Sequence, residues 1–230
     1  MVVGKGMIAS RFADYKDNDR FVIFASGVSN SQTSIKDEFE REKNLLIHII
    51  NNHKDSILVY FSTCSIYDPE KKSTPYVVHK LEMESLIMEQ HPMPVIFRVS
   101  NPIGLTKNRH TVFNYFVDHI QNDIPFFVWE NAERNIIDID DMFVICDAIL
   151  KKPYEKRNPI NIANPVNYPI MNIVTTIEYH FSKKGIYTLI KGESSPSINT
   201  EDILPIIKEK RIEFNENYLN KIIKKYFSGE

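Results

Sequence analysis

The sequence predicts an α/β fold, in which a doubly wound parallel sheet with helices on both faces is joined to a smaller C-terminal lobe. Apolar runs and amphipathic segments alternate along the first part of the chain in the rhythm of right-handed βαβ units. The apolar runs are continuous, which is typical of strands that are buried on both faces. With 230 residues, 43% of them hydrophobic, the chain can build such a core without disulfides.

The predicted sheet takes most of its strands from the first half of the chain. Residues 1–3 form a short strand, and the apolar residues of 7–15 recur at helical spacing after a Gly-Lys-Gly turn. Longer strands and helices then alternate at 20–25, 35–52, 56–62, 74–89 and 94–99.

Beyond residue 101 the alternation weakens. Helices are predicted at 110–121, 140–150, 169–181, 200–210 and 217–227, and strands at 124–129, 135–138, 159–163 and 186–190. Residues 1–101 with 139–163 are expected to form the sheet domain, and 102–138 with 164–230 the smaller lobe. The lobe is expected beside the carboxyl ends of the strands, where such sheets bind their ligands.

Composition excludes several classes of function. The 28 basic and 30 acidic side chains nearly cancel, which argues against a general electrostatic grip on nucleic acid or on an anionic membrane. Cys64 and Cys146 lie far apart, so neither a disulfide scaffold nor a four-cysteine zinc site is expected, and a reducing cytoplasm fits best. No histidine pair has HxxxH spacing, so no metal is predicted. No apolar run approaches the roughly 18 residues of a membrane span.

A glycine turn between the first strand and the first helix is one candidate ligand site. Residues 4–9 read GKGMIA, a GxGxxA pattern that lets backbone amides approach a pyrophosphate, although a plain strand-to-helix turn needs the same residues. Only eleven residues separate Ala9 from Phe21. That leaves no room for the second strand, whose acidic residue binds the adenosine ribose in a complete dinucleotide fold. The adenosine half is therefore expected to be held by Arg11 or Lys5, or held poorly.

Tyr76 and Lys80 form the second candidate site. Four residues apart on a predicted helix, they lie on one face about one turn apart, and the ammonium is expected to lower the pKa of the phenol toward neutral pH. The spacing recurs at Tyr67/Lys71, Tyr179/Lys183 and Tyr187/Lys191. Only Tyr76/Lys80 begins a helix soon after a strand end, where Thr63 can bind a substrate oxygen. His79 is expected to face away from this pair and to be exposed.

At these residues the sequence resembles the extended short-chain dehydrogenase/reductase family of nucleotide-sugar epimerases, dehydratases and reductases. Residues 61–67 resemble the family's SS(T)xxxYG segment, with Thr63 at the catalytic Ser/Thr position and Asp68 where glycine is usual. Tyr76 and Lys80 match its YxxxK. Three later segments also match: 98–104 resembles RxxNPxG, 134–141 resembles RDxIHVxD, and 161–164 resembles the later NxG strand.

The resemblance implies a Rossmann-like sheet that lacks one βα unit, and a bound NAD or NADP. The residues it assigns to the cofactor are Gly4, Lys5, Gly6, Met7, Ile8, Ala25, Ser26, Gly27 and Lys80. The residues it assigns to catalysis are Thr63, Tyr76 and Lys80, and those it assigns to the nucleotide-sugar substrate are Thr63, Cys64, Asn101 and Arg134. It also implies a homodimer formed by the helices at 35–52 and 74–89.

Two functions remain open at this point. The first is reduction of a 4-keto sugar nucleotide, or epimerisation by the same residues; dehydration is disfavoured because Cys64 and Ser65 stand where the dehydratases carry an Asp-Glu pair. The second is a binding protein on a degenerate Rossmann scaffold, which recognises a nucleotide sugar or a protein partner without turnover. Cys64 is either a small core residue or a reactive thiol beside the pocket.

Overall fold

The structure, a computed structural model, describes residues 1–106, 108, 111–156 and 158–228. Its strands are β1 (Val2–Val3), β2 (Phe21–Phe24), β3 (Ile57–Thr63), β4 (Pro94–Val99), β5 (Asn101–Ile103), β6 (Phe126–Asp138), β7 (Ile160–Ile162), β8 (Asn167–Pro169) and β9 (Tyr187–Ser194). Its helices are α1 (Met7–Arg11), α2 (Lys36–Asn52), α3 (Pro75–Gln90), α4 (Val112–Gln121), α5 (Ile139–Leu150), α6 (Ile170–Phe181), α7 (Leu204–Glu209) and α8 (Tyr218–Phe227).

The large sheet is parallel throughout, with strand order β1-β2-β3-β4-β7. Side chains alternate between its faces: Ile23 and Val59 join the core under α1 and α5, whereas Val22 and Leu58 join the core under α2 and α3. Helices therefore cover both faces, and the predicted α/β Rossmann-like fold class is confirmed.

The connection from β1 to β2 has an unusual hand. The steps β1 to β2, β2 to β3 and β3 to β4 all run in the same direction, yet α1 lies on one face of the sheet and α2 and α3 on the other. The unit β1-α1-β2 therefore has the opposite hand to the two units that follow, although nearly all such crossovers are right-handed. In the complete dinucleotide fold two further strands lie outside the first strand, and their omission explains this connection.

The smaller sheet is built around β6, which pairs with β5 and β9 in parallel and with β8 antiparallel. The strands predicted at 124–129 and 135–138 are one strand with a β-bulge between Trp129 and Asn131. Strands β5 and β8 were not predicted, because each has three residues and contains a proline.

Helices α3, α4 and α5 begin close to the predicted positions, and each follows a residue whose side chain caps the helix. The Thr74 hydroxyl accepts a hydrogen bond from the Val77 amide, and Pro75 takes the first helical position of α3. The helix predicted at 110–121 is α4, and its first predicted residue, His110, lies outside the described residues.

The C-terminal segment contacts both cores. The helix predicted at 200–210 starts as a 3-10 turn, and Ile203 and Ile206 pack in the core of the large sheet, whereas Leu219 and Ile222 of α8 pack in the core of the smaller sheet. The division of the chain into two domains stays a prediction. Across the described ranges, no helix has the length and apolarity needed to cross a lipid bilayer.

Candidate active site

A cleft of about 440 Å³ lies at the carboxyl ends of β2, β3 and β4 and continues to the smaller sheet. It contains every site residue predicted from the sequence except Gly4 and Arg11. Those lining residues are Lys5, Gly6, Met7, Ile8, Ala25, Ser26, Gly27, Thr63, Cys64, Tyr76, Lys80, Asn101 and Arg134. The structure therefore brings residues from six separate segments of the chain to one surface.

Thr63 and Tyr76 meet at the centre of the cleft. Thr63 is the last residue of β3, and its Oγ1 accepts a hydrogen bond of 3.0 Å from the amide of Ser65. Tyr76 is the second residue of α3, is 8% exposed, and lines the cleft together with Thr63. A strand end and a helix start thus place an alcohol and a phenol side by side, as predicted.

Lys80 lies one turn further along α3, but its charge is already paired. Its Nζ donates to Glu42 Oε1 at 2.9 Å and to the Tyr60 hydroxyl at 3.1 Å. Nζ lies 5.9 Å from the centre of the Tyr76 ring. Because an ammonium has three donors, one donor remains beyond these two contacts.

Glu42 is the centre of this buried polar cluster. It is fully buried, and its carboxylate accepts hydrogen bonds from the Val28 amide at 2.6 Å and from the Tyr60 hydroxyl at 2.5 Å. His79 Nε2 lies 3.1 Å from Glu42 Oε2. Burial raises the pKa of Glu42, but the Lys80 charge and the hydrogen bonds outweigh it and hold that pKa well below its usual range.

Two expectations about this cluster are wrong. Burial raises the pKa of Tyr76 to about 12; the Thr63 side chain opposes the rise and the Glu42 carboxylate adds to it. The expected lowering of that pKa by Lys80 is absent, and burial lowers the pKa of Lys80 itself. His79 is buried rather than exposed, stacked on Phe39 with ring centres 4.6 Å apart.

The glycines around the cleft have different roles. Gly4 has a φ of +131°, and a Cβ there would lie 2.3 Å from the Ala25 carbonyl oxygen, so glycine is needed where the turn touches the end of β2. A Cβ on Gly6 would meet no atom within 4 Å and would project into the cleft. A Cβ on Gly27 would lie 2.5 Å from Lys80 Nζ.

Few of the described residues are positioned to contact the adenosine half of the predicted cofactor. Helix α1 has five residues rather than the nine predicted at 7–15, so its dipole is small. Arg11 is occupied elsewhere, because it forms an ion pair with Asp140 and lies over the Phe143 ring. Lys5 lines the cleft, as does Arg41, which the sequence did not indicate and which donates to the Ser26 carbonyl at 3.1 Å.

At the other end of the cleft, the residues predicted to bind substrate lie near the smaller sheet. The Asn101 amide donates to the Asn135 carbonyl at 2.7 Å, and Arg134 donates to the Ser194 hydroxyl at 3.2 Å. Cys64 is 3% exposed, its thiol donates to the Arg98 carbonyl at 3.0 Å, and burial raises its pKa. These observations favour the small core residue over the reactive thiol.

Asp68, Lys71 and Ser100 are polar residues of the cleft that were not predicted as site residues. Asp68 is 4% exposed, accepts a hydrogen bond from Ser194 at 2.9 Å, and lies 3.7 Å from Lys71 Nζ. The buried hydroxyl of Ser100 has no hydrogen-bond partner among the described residues. Asp68 and Ser100 follow β3 and β4, so their positions after strand ends were the signal that could have found them.

Comparison with known proteins identifies the class to which this site belongs. The family model described as "NAD dependent epimerase/dehydratase family" matches residues 10–163. This match covers more than half of the chain, and the chain belongs to that family. The comparison with curated proteins found no match.

Solved structures share the fold at low sequence identity. The UDP-glucose 4-epimerase of Thermus thermophilus in complex with NAD has a TM-score of 0.69 at 15% identity, over 96% of this chain and 81% of that one. The UDP-glucuronic acid 4-epimerase of Bacillus cereus, in complex with UDP-glucuronic acid and NAD, has a TM-score of 0.69 at 17% identity. The match covers 95% of this chain and 77% of that one. The dTDP-glucose 4,6-dehydratase of Bacillus anthracis has a TM-score of 0.70 at 17% identity. The match covers 97% of this chain and 78% of that one.

Proposed function

We propose that this protein is a nucleotide-sugar oxidoreductase that reduces a 4-keto sugar nucleotide with NAD(P)H, with epimerisation as the closely related alternative. The observation that carries the proposal is the placement of Thr63 and Tyr76 together inside a cleft at the carboxyl edge of a parallel sheet. Family membership supports it, as do the structural neighbours, which were solved in complex with NAD and, in one case, with UDP-glucuronic acid as well.

The cleft fits the nicotinamide half of the cofactor. Gly6 leaves open space where a side chain would stand, the Ser100 hydroxyl offers an unused hydrogen-bonding group, and Lys80 retains one donor for a ribose hydroxyl. When bound, the nicotinamide would supply the hydride. The adenosine half has less support, because the described residues between β1 and β2 contain only α1 and a 3-10 turn.

The protein's own residues would carry the proton transfer. The Thr63 hydroxyl and the Tyr76 phenol bind the sugar's keto oxygen, and Tyr76 Oη gives that oxygen its proton as the carbonyl is reduced. With a pKa of about 12, Tyr76 is protonated at neutral pH, which suits proton donation. Epimerisation also needs the phenolate as a base in its first step, and this pKa disfavours the phenolate.

The substrate's diphosphate would lie at the other end of the cleft. Arg134 and Lys71 both line the cleft there and supply positive charge. Asn101 lies beside them. Dehydration stays disfavoured, because Cys64 and Ser65 supply neither the acid nor the base for elimination.

The test is turnover by purified protein with NADH or NADPH and a 4-keto sugar nucleotide, followed by loss of the reduced cofactor's absorbance. We expect Tyr76→Phe to lower turnover by about 10²- to 10⁴-fold, because the general acid is lost. Binding of the nucleotide sugar, measured by calorimetry, should stay within about threefold of wild type. Unchanged turnover in Tyr76→Phe would contradict the proposed mechanism.

A binding protein without turnover is the second candidate. The paired charge of Lys80 and the sparse adenosine side favour it. Fluorescence titration of NADH and NADPH discriminates the two candidates. Binding of neither cofactor, together with tight binding of a UDP or dTDP sugar, would support the binding protein.

We further propose a homodimer formed through α2 and α3. Helix α3 exposes Val78 and Leu81 on its outer surface, which supports an apolar contact there. A cytoplasmic location is supported by the two cysteines, which are buried and unpaired. Sedimentation of the wild type and of a Leu81→Asp variant tests the dimer.

A further inference from the structure

A buried ion pair lies directly behind Tyr76. Glu42 on α2 and Lys80 on α3 are 0% and 2% exposed, and their charged atoms are 2.9 Å apart. Substrate cannot reach Glu42, because its carboxylate is enclosed by the Val28 amide, the Tyr60 hydroxyl and the His79 ring.

The pair is fixed from four elements of the fold. Glu42 comes from α2, Lys80 from α3, and Tyr60, which contacts both of them, from β3. The bond from the Val28 amide ties the carboxylate to the segment after β2, and Gly27 in that segment leaves no space for a Cβ beside Lys80 Nζ. The Lys80 ammonium is therefore held in one position, in contact with the Glu42 carboxylate.

We propose that Glu42 is a positioning residue of the proposed reaction, whose carboxylate fixes Lys80 and whose buried negative charge keeps Tyr76 a proton donor rather than a base. This inference rests on the proposed function and deepens it, because it gives the structural reason for preferring reduction. Glu42 acts on Tyr76 through its contact with Lys80 and through its own charge.

Other charged groups around Tyr76 leave this balance intact. From α3, Glu84 is paired with Arg98 of β4 at 2.6 Å. From α2, Arg41 is exposed and donates to Ser26. The remaining groups packed against the cluster are His79 of α3 and Tyr60 of β3, and burial raises the pKa of Tyr60.

The charge balance can be tested by titrating Tyr76 in three variants. Tyrosines are isotope-labelled at the hydroxyl-bearing ring carbon, Tyr76 is assigned with Tyr76→Phe, and its midpoint is read by NMR in the protein alone. Burial lowers the pKa of Lys80, so the carboxylate is the charge that acts on Tyr76 as the phenol titrates. Glu42→Gln removes that negative charge, so the midpoint should fall by about one pH unit or more. Lys80→Met keeps the carboxylate, so its midpoint should be no lower than that of wild type.

The double variant Glu42→Gln with Lys80→Met also removes the carboxylate and should titrate below Lys80→Met. If Glu42→Gln does not fold, the comparison of Lys80→Met with the double variant replaces it. Equal midpoints in Glu42→Gln and wild type, or equal behaviour of Lys80→Met and the double variant, would overturn the proposal.

A matched control separates charge from stability. Glu178 is another buried carboxylate, which accepts from the Gly185 amide at 2.9 Å and from Lys184 at 2.7 Å, but it lies in the core of the smaller sheet. Glu178→Gln should leave the Tyr76 midpoint unchanged; a shift as large as that of Glu42→Gln would also overturn the proposal. Because the titration needs no turnover, its outcome is independent of whether a 4-keto sugar proves to be the substrate.

Discussion

The two ends of the cleft differ in how many of the expected strands and side chains the described residues supply. Between β2 and β4 the cleft is lined by Thr63 and Tyr76, and a buried ion pair of Glu42 and Lys80 lies nearby. Beyond β1 the sheet ends, and the described segment between β1 and β2 adds no strand. The described segment between β1 and β2 therefore lacks the strand that holds an adenosine in the complete fold, whereas the residues to which we assign proton transfer are present.

The hand of the β1-α1-β2 connection has the same cause, which is the absence of further strands between β1 and β2. In the complete fold, α1 leads outward from strand 1 to strand 2, on the side away from the active-site strands. Here the chain turns back to the active-site side after α1 and a 3-10 turn, so α1 stays on its original face while the step changes direction. This comparison suggests that the reacting half of the site depends only on β2, β3, β4 and the helices after them.

The largest predicted difference between the two ends of the cleft is in how much a glycine substitution lowers the free energy of unfolding. Gly27→Ala places a Cβ 2.5 Å from Lys80 Nζ, and we expect the free energy of unfolding to fall by about 1–3 kcal/mol because the buried pair must move. Gly6→Ala is the matched control, since its Cβ meets no atom within 4 Å. Chemical denaturation measures both variants, and equal stability losses would contradict the account of the reacting end.

A smaller effect is expected at the substrate end. Asp68→Asn removes a buried negative charge beside Lys71 and Arg134 but keeps an acceptor for the Ser194 hydroxyl. Both cations then face the cleft with less counter-charge, so affinity for UDP should rise by about three- to tenfold. Calorimetry measures the change. The control is Asp123→Asn, which alters an exposed ion pair of the smaller lobe and should leave affinity unchanged; a fall in affinity for Asp68→Asn would show that Asp68 supports substrate binding.

The sequence predicts the local features of the site well. Thr63 and Tyr76 were placed correctly because a strand end and a capped helix start are short-range patterns. Glu42 was missed because its partner Lys80 is 38 residues away, and the contact depends on how α2 packs against α3. The prediction for His79 was wrong because α3 is buried on more than one side, which the helical spacing alone does not indicate.

The most direct test of the central comparison is the affinity of the protein for NADH relative to reduced nicotinamide mononucleotide, measured by fluorescence titration. If only the nicotinamide end of the cleft is built, the two affinities should agree within about fivefold, because the adenosine half adds few contacts. An affinity for NADH higher by about a hundredfold or more would show that the protein holds the adenosine, and would contradict this account.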